Sequence, residues 1–130
     1  MSSSTSFLTA FNNHLKEFVV DLTTIFPDDK NIKTAKSAVS ALTYANPKAL
    51  AKVWQNYVCK YSEEIQQGNL DYFINKNYND DLQSVNNYSK ASDIIESLRE
   101  PIRNMDDENK QKAMKYIQNL NKLCNLYFNQ

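Results

Sequence analysis

Four adjacent acidic pairs are the first residues in this chain with the right types for chemistry: Asp28/Asp29, Glu63/Glu64, Asp80/Asp81 and Asp106/Asp107. Paired carboxylates do acid–base work or hold a metal ion when they converge on one atom. Neighbours on a helix point about 100° apart, so an adjacent pair does not converge. Three of the pairs fall near expected helix starts or loops, where capping of backbone N–H groups explains them. His14 is the only histidine and stands three residues before Glu17. That is the reverse of the Glu-x-x-His order by which helical bundles hold two metal ions. It lies on the polar side of the first expected helix, beside the apolar stripe, where a solvated or capping role is expected.

The only cysteines, Cys59 and Cys124, both fall on apolar helical stripes. Two reduced core thiols are the expectation; a disulfide is the alternative, without a framework or secretory context behind it. Together with one histidine they are too few for a Cys/His zinc site. A single glycine, Gly68, rules out a glycine-rich phosphate loop. No catalytic residue, metal or cofactor is expected, and the chain reads as non-enzymatic.

Two other sets point to binding. Lys30, Lys33 and Lys36 form a basic edge on the second expected helix, a candidate contact for nucleic-acid phosphates. Against it stand only two arginines, Arg99 and Arg103, and a balance of 15 basic against 15 acidic side chains that leaves no net field. Tyr72, Tyr78 and Tyr88 lie among asparagines in the one stretch without clean periodicity, residues 69–88. Tyrosine supplies large contact area at low entropic cost, so these three either build an interaction surface or lid the core.

The elements that must position these residues are helices. Phe11, Leu15, Phe18, Leu22 and Ile25 step 4-3-4-3, as do Ala91, Ile95, Leu98, Ile102 and Met105, and again Ala113, Ile117, Leu120, Cys124 and Tyr127. That spacing is one buried helical face each time. Ser4, Thr5 or Ser6 is expected to cap the first helix, and Pro27 to stop it. Asp28 and Asp29 open a second helix with Ile32, Ala35, Val39 and Leu42 inward. Asn46-Pro47 is read as the cap and first residue of a third, which carries Leu50, Trp54, Tyr57 and Tyr61 and ends at Gly68. Pro101 either kinks the fifth helix or divides it. Asp106 caps the last.

At 130 residues the chain fits one domain, large enough to bury roughly two thirds of its unfolded surface. The expectation is an all-α, compact antiparallel bundle of about five to six helices spanning residues 1–130. Residues 1–6 form a flexible N-terminal cap and 69–88 an irregular segment. No apolar run approaches the roughly 20 residues needed to span a bilayer, and the serine-rich start lacks the basic and apolar parts of a signal peptide. An intracellular protein without membrane insertion is expected.

The stretch FVVDLTTIFP from Phe18 to Pro27, the following DDKNIKTAKSAVSAL and the ending LREPIRNMDDENKQKAMKYIQNLNKLCNLY resemble a group of proteins of nucleocytoplasmic large DNA viruses, algal and mimivirus-like ones among them. These are small, all-helical and mostly uncharacterised. The resemblance spans most of the chain. Its motifs are packing and capping motifs, so it implies a shared fold and carries no catalytic residue over. Usage rich in asparagine, lysine, tyrosine, isoleucine and phenylalanine, all with AT-rich codons, agrees with such a source. What the resemblance implies is a virion-associated or minor capsid component, located in the virion or the infected-cell cytoplasm. Its partners would be capsid proteins or a second copy. The alternative is a nucleic-acid-associated viral accessory factor using the lysine edge.

Overall fold

Helix α1, Ser3–Ile25, forms because its apolar residues recur on one face: Phe11, Leu15, Phe18, Val19 and Leu22 are all buried. It begins at Ser3. Ser4, Thr5 and Ser6 therefore lie within its opening turns rather than ahead of it. The computed structural model describes residues 3–59, 62–68 and 89–129. Tyr72, Tyr78, Tyr88 and the Asp80/Asp81 pair lie outside the described residues, as does Tyr61.

A tight turn at Pro27 reverses the chain, with the Asp29 N–H donating to the Phe26 carbonyl at 3.1 Å. Asp29 then caps α2, Lys30–Ala45, its carboxylate accepting from the backbone N–H groups of Asn31 at 2.9 Å and Ile32 at 3.2 Å. Ile32, Ala35, Val39 and Thr43 point inward. The next turn departs from expectation. Asn46 closes α2 by donating its N–H to the Leu42 carbonyl, and α3, Ala49–Tyr57, starts two residues beyond Pro47, with Lys48 before it and no side-chain cap. The turn is held instead from outside, by the Asn12 side-chain amide donating to the Pro47 carbonyl at 2.9 Å.

The short helix α3 takes the central place. Ala49, Leu50, Ala51, Val53 and Trp54 are all buried, which gives it a broad apolar face, while Lys52, Gln55 and Asn56 share the opposite, more exposed face. It touches α1, α2, α5 (Ser89–Arg103) and α6 (Asp107–Phe128). Between α3 and α5 lies α4, Ser62–Gln66, packed on α6. Gly68 closes it at φ 87°, the left-handed conformation glycine adopts without a side-chain clash. α5 runs through Pro101 and ends two residues later at Arg103, so the proline neither divides the helix nor starts a new one. Within the last turn a missing N–H forfeits one bond, and Asn104 resumes bonding to the Glu100 carbonyl at 3.2 Å. Asp106 caps α6 as expected, accepting from the Asn109 N–H at 2.8 Å.

The result is an all-α bundle of six helices among the described residues, with the α1–α6 interface the most extensive. One apolar cluster runs through all of them. At its centre Phe11 meets Trp54 edge to face at 5.9 Å, and the Trp54 indole N–H donates to the Asn121 side-chain oxygen at 2.5 Å.

Candidate functional site

The antiparallel seam between α1 and α6 leaves a groove of about 550 Å³ on the outside of the bundle. Its α1 side carries His14, Glu17, Phe18 and Asp21; its α6 side carries Asn109, Lys112, Lys115, Tyr116 and Asn119. Helical spacing puts positions 14, 17, 18 and 21 on one edge of α1, flanking the buried stripe. Tyr116 reaches over from α6 and closes the floor. Its ring stacks on Phe18 at 4.8 Å and lies 4.9 Å from the His14 ring.

The polar groups of the floor are tied together. The Tyr116 hydroxyl donates to the Asp21 carboxylate. Burial, then that hydrogen bond, then the charges of Asp21 and Glu17 push the phenol up to about 12. At neutral pH it is therefore a fixed donor, and neither a nucleophile nor a base. His14 Nδ1 lies 3.6 Å from Glu17 Oε2, while its Nε2 is shielded from water and has no hydrogen-bond partner. Glu17, Asp21, Lys112 and Lys115 are exposed. The groove thus has an aromatic floor, an acidic rim on α1 and a lysine rim on α6. The arrangement suits recognition by charge and hydrogen bonding.

The expected site residues lie elsewhere. Lys30, Lys33 and Lys36 are all exposed on α2. Lys33 and Lys36 line a shallow hollow with Thr23, Pro27, Ser37 and Ser40, which Lys30 does not join. The structure shares no residue between this hollow and the α1–α6 groove. The tyrosines Tyr72, Tyr78 and Tyr88 fall outside the described residues. Among the acidic pairs, Asp29 and Asp106 serve as caps. A polar hollow between α2 and α5 gathers Asp29, Asp93, Glu96 and Glu100, but Glu96 is engaged by Arg99 through two hydrogen bonds of 2.8 and 3.0 Å. Among the described residues no group of three or more His, Cys, Asp or Glu could hold a metal ion, and no helix is long and apolar enough to cross a membrane.

Tyr116 and Asp21 are the residues that sequence reasoning passed over. The visible signal was the polar edge His14, Glu17, Asp21 running beside the α1 stripe. The residue answering it from α6 sits 95 positions away, and no local pattern reports such a pairing. Set against models of protein families, curated proteins and solved structures, the chain matches none of them.

Proposed function

We propose that this chain is a non-enzymatic helical interaction protein that docks a second copy of itself along the α1–α6 groove. One observation carries the reading: exposed carboxylates Glu17 and Asp21 stand on one rim, and exposed ammonium groups Lys112 and Lys115 on the other. A two-fold axis parallel to the groove sets each acidic rim against the partner's lysine rim, which makes the face self-complementary. The resemblance of residues 18–27 and of the final helix to proteins of large DNA viruses supports a place in or beside the virion. There, self-associating modules build capsid or inner-layer structure.

Sedimentation velocity with charge-swapped variants tests the docking. Glu17→Lys with Asp21→Lys gives a groove basic on both rims, and Lys112→Glu with Lys115→Glu one acidic on both. Each variant alone should sediment as a monomer with an unchanged helical signal, and an equimolar mixture should form a heterodimer. A wild-type chain that stays monomeric across concentration, or a mixture that does not pair, overturns the reading. For the virion role, mass spectrometry of purified particles should find the chain at a copy number comparable to capsid components; its absence removes that role.

A second reading, nucleic-acid association, is favoured by the exposure of Lys30, Lys33 and Lys36 on one helix. It requires oligonucleotide binding that weakens steeply with salt and is lost when the three lysines become glutamate. No anisotropy change at low salt eliminates it.

A further inference from the structure

Tyr44 stands almost clear of the protein, at 92% exposure, whereas Val20 and Leu126, the other exposed large apolar side chains among the described residues, are more than half covered. A tyrosine ring ordinarily packs against an apolar neighbour, as Tyr116 does on Phe18. Tyr44 lies in the last turn of α2. At 3.6 residues per turn, Lys33, Lys36, Ser37, Ser40 and Tyr44 fall within an arc of about 100°, so one outer face of the helix carries them all. The first four line the hollow that Thr23 and Pro27 border from α1 and the turn after it.

None of the residues lining that hollow is acidic. The Thr23 hydroxyl is engaged, donating to the Val20 carbonyl at 2.6 Å. Ser37 and Ser40 are exposed, and Lys33 and Lys36 make no ion pair among the described residues. The hollow therefore offers two ammonium groups and two hydroxyls with no competing carboxylate, which is the chemistry a phosphate needs. Charge is segregated here although the chain as a whole is neutral. Between Asp29 and Glu63 there is no acidic residue, and lysines stand at 30, 33, 36, 48, 52 and 60. Lys48, also exposed, follows Tyr44 in the turn after α2.

We infer that the outer face of α2 binds single-stranded nucleic acid, with a backbone phosphate in the Lys33/Lys36 hollow and an unpaired base stacked on Tyr44. This rests on the nucleic-acid reading above and narrows it from any chain of phosphates to an unpaired strand. In a duplex each base is covered on both faces by its neighbours, while a single strand leaves faces open for an aromatic ring. Lys36 and Tyr44 are about 12 Å apart along the helix axis, so the phosphate and the base belong to different nucleotides of one strand. Stacking accepts every base, so this face holds a strand without reading its sequence. Lys30 lies outside the hollow and adds only to the surrounding field. The α1–α6 groove shares no residue with this face.

Fluorescence anisotropy of the full-length chain at low salt tests this with a labelled thymidine oligonucleotide of about 12 nucleotides, free and annealed to its complement. The free strand should bind more tightly than the duplex. Tyr44→Ala should weaken strand binding about 5- to 100-fold, and Tyr44→Phe should keep it. Lys33→Gln with Lys36→Gln should also weaken it and should reduce the logarithmic salt slope by about 1.4, a slope that Tyr44→Ala leaves unchanged. Each replaced side chain is exposed, so circular dichroism should show the same helical signal throughout. Equal binding of strand and duplex, or a Tyr44→Ala variant that binds the strand as wild type does, overturns the inference and leaves the lysine-edge reading standing. No binding of either probe removes both.

Discussion

Replacing Tyr116 by phenylalanine removes one hydroxyl from the groove and keeps the ring stacked on Phe18, so its effect isolates the hydrogen bond to Asp21. A rise of the phenol from 10.0 to about 12 would correspond to about 2.7 kcal/mol in a fully shielded site. The Tyr116 side chain is half-buried at the rim of an open groove, and solvent screening reduces this to about 1 kcal/mol. The direct value of one hydrogen bond, about 0.5–1.5 kcal/mol, gives the same answer. The sign follows from which state holds the proton. In the unfolded chain tyrosine releases its proton near pH 10, while the folded chain keeps it until about 12. Between these values the native state binds more protons, so stability falls as pH rises. The contribution is whole below pH 10 and gone above about 12.

Urea unfolding, followed by the fluorescence of the single tryptophan, Trp54, measures the gap between wild type and Tyr116→Phe. It should be about 1 kcal/mol at about pH 8 and close between about pH 10 and 12. The rest of the chain is common to both proteins and cancels in the difference. Two results would refute the reasoning: no gap at the lower pH, or a gap that stays constant to the upper one. The variant should also weaken self-association, because Asp21 on the acidic rim loses the donor that holds it.

The Trp54–Asn121 pair should behave as a unit. Trp54→Phe and Asn121→Leu each strand a buried polar partner, at about 1–3 kcal/mol apiece. The double variant removes both groups, together with the Asn121 amide nitrogen that is buried without a partner, so it should fall short of the sum by about 1–2 kcal/mol; strict additivity in circular-dichroism melts counts against the pairing. Asp29→Ala should cost about 1 kcal/mol through loss of the α2 cap, and Asp28→Ala under about 0.5; equal losses would mean the cap was misassigned.

The helical stripes were legible because each of the long helices meets its neighbours on one face, and a single face prints a period of about 3.6 residues. Leu15, Val39, Ile95 and Ile117 could be placed inside from spacing alone, and all are buried. Legibility was partial in α3. Leu50 and Trp54 of its expected stripe are buried, but its start two residues beyond Pro47, without a side-chain cap, left no mark in the sequence. The same limit governs the candidate site. A stripe records that a residue faces inward without naming what it faces. Tyr116 with Asp21 is a contact between helices whose partners are chosen by how α1 and α6 cross. Periodicity places Cys124 in the core correctly, and for that reason conceals that its thiol meets the Ala51 carbonyl of α3 at 3.5 Å. Packing and chemistry draw on the same residue, and only the arrangement of the helices separates the two.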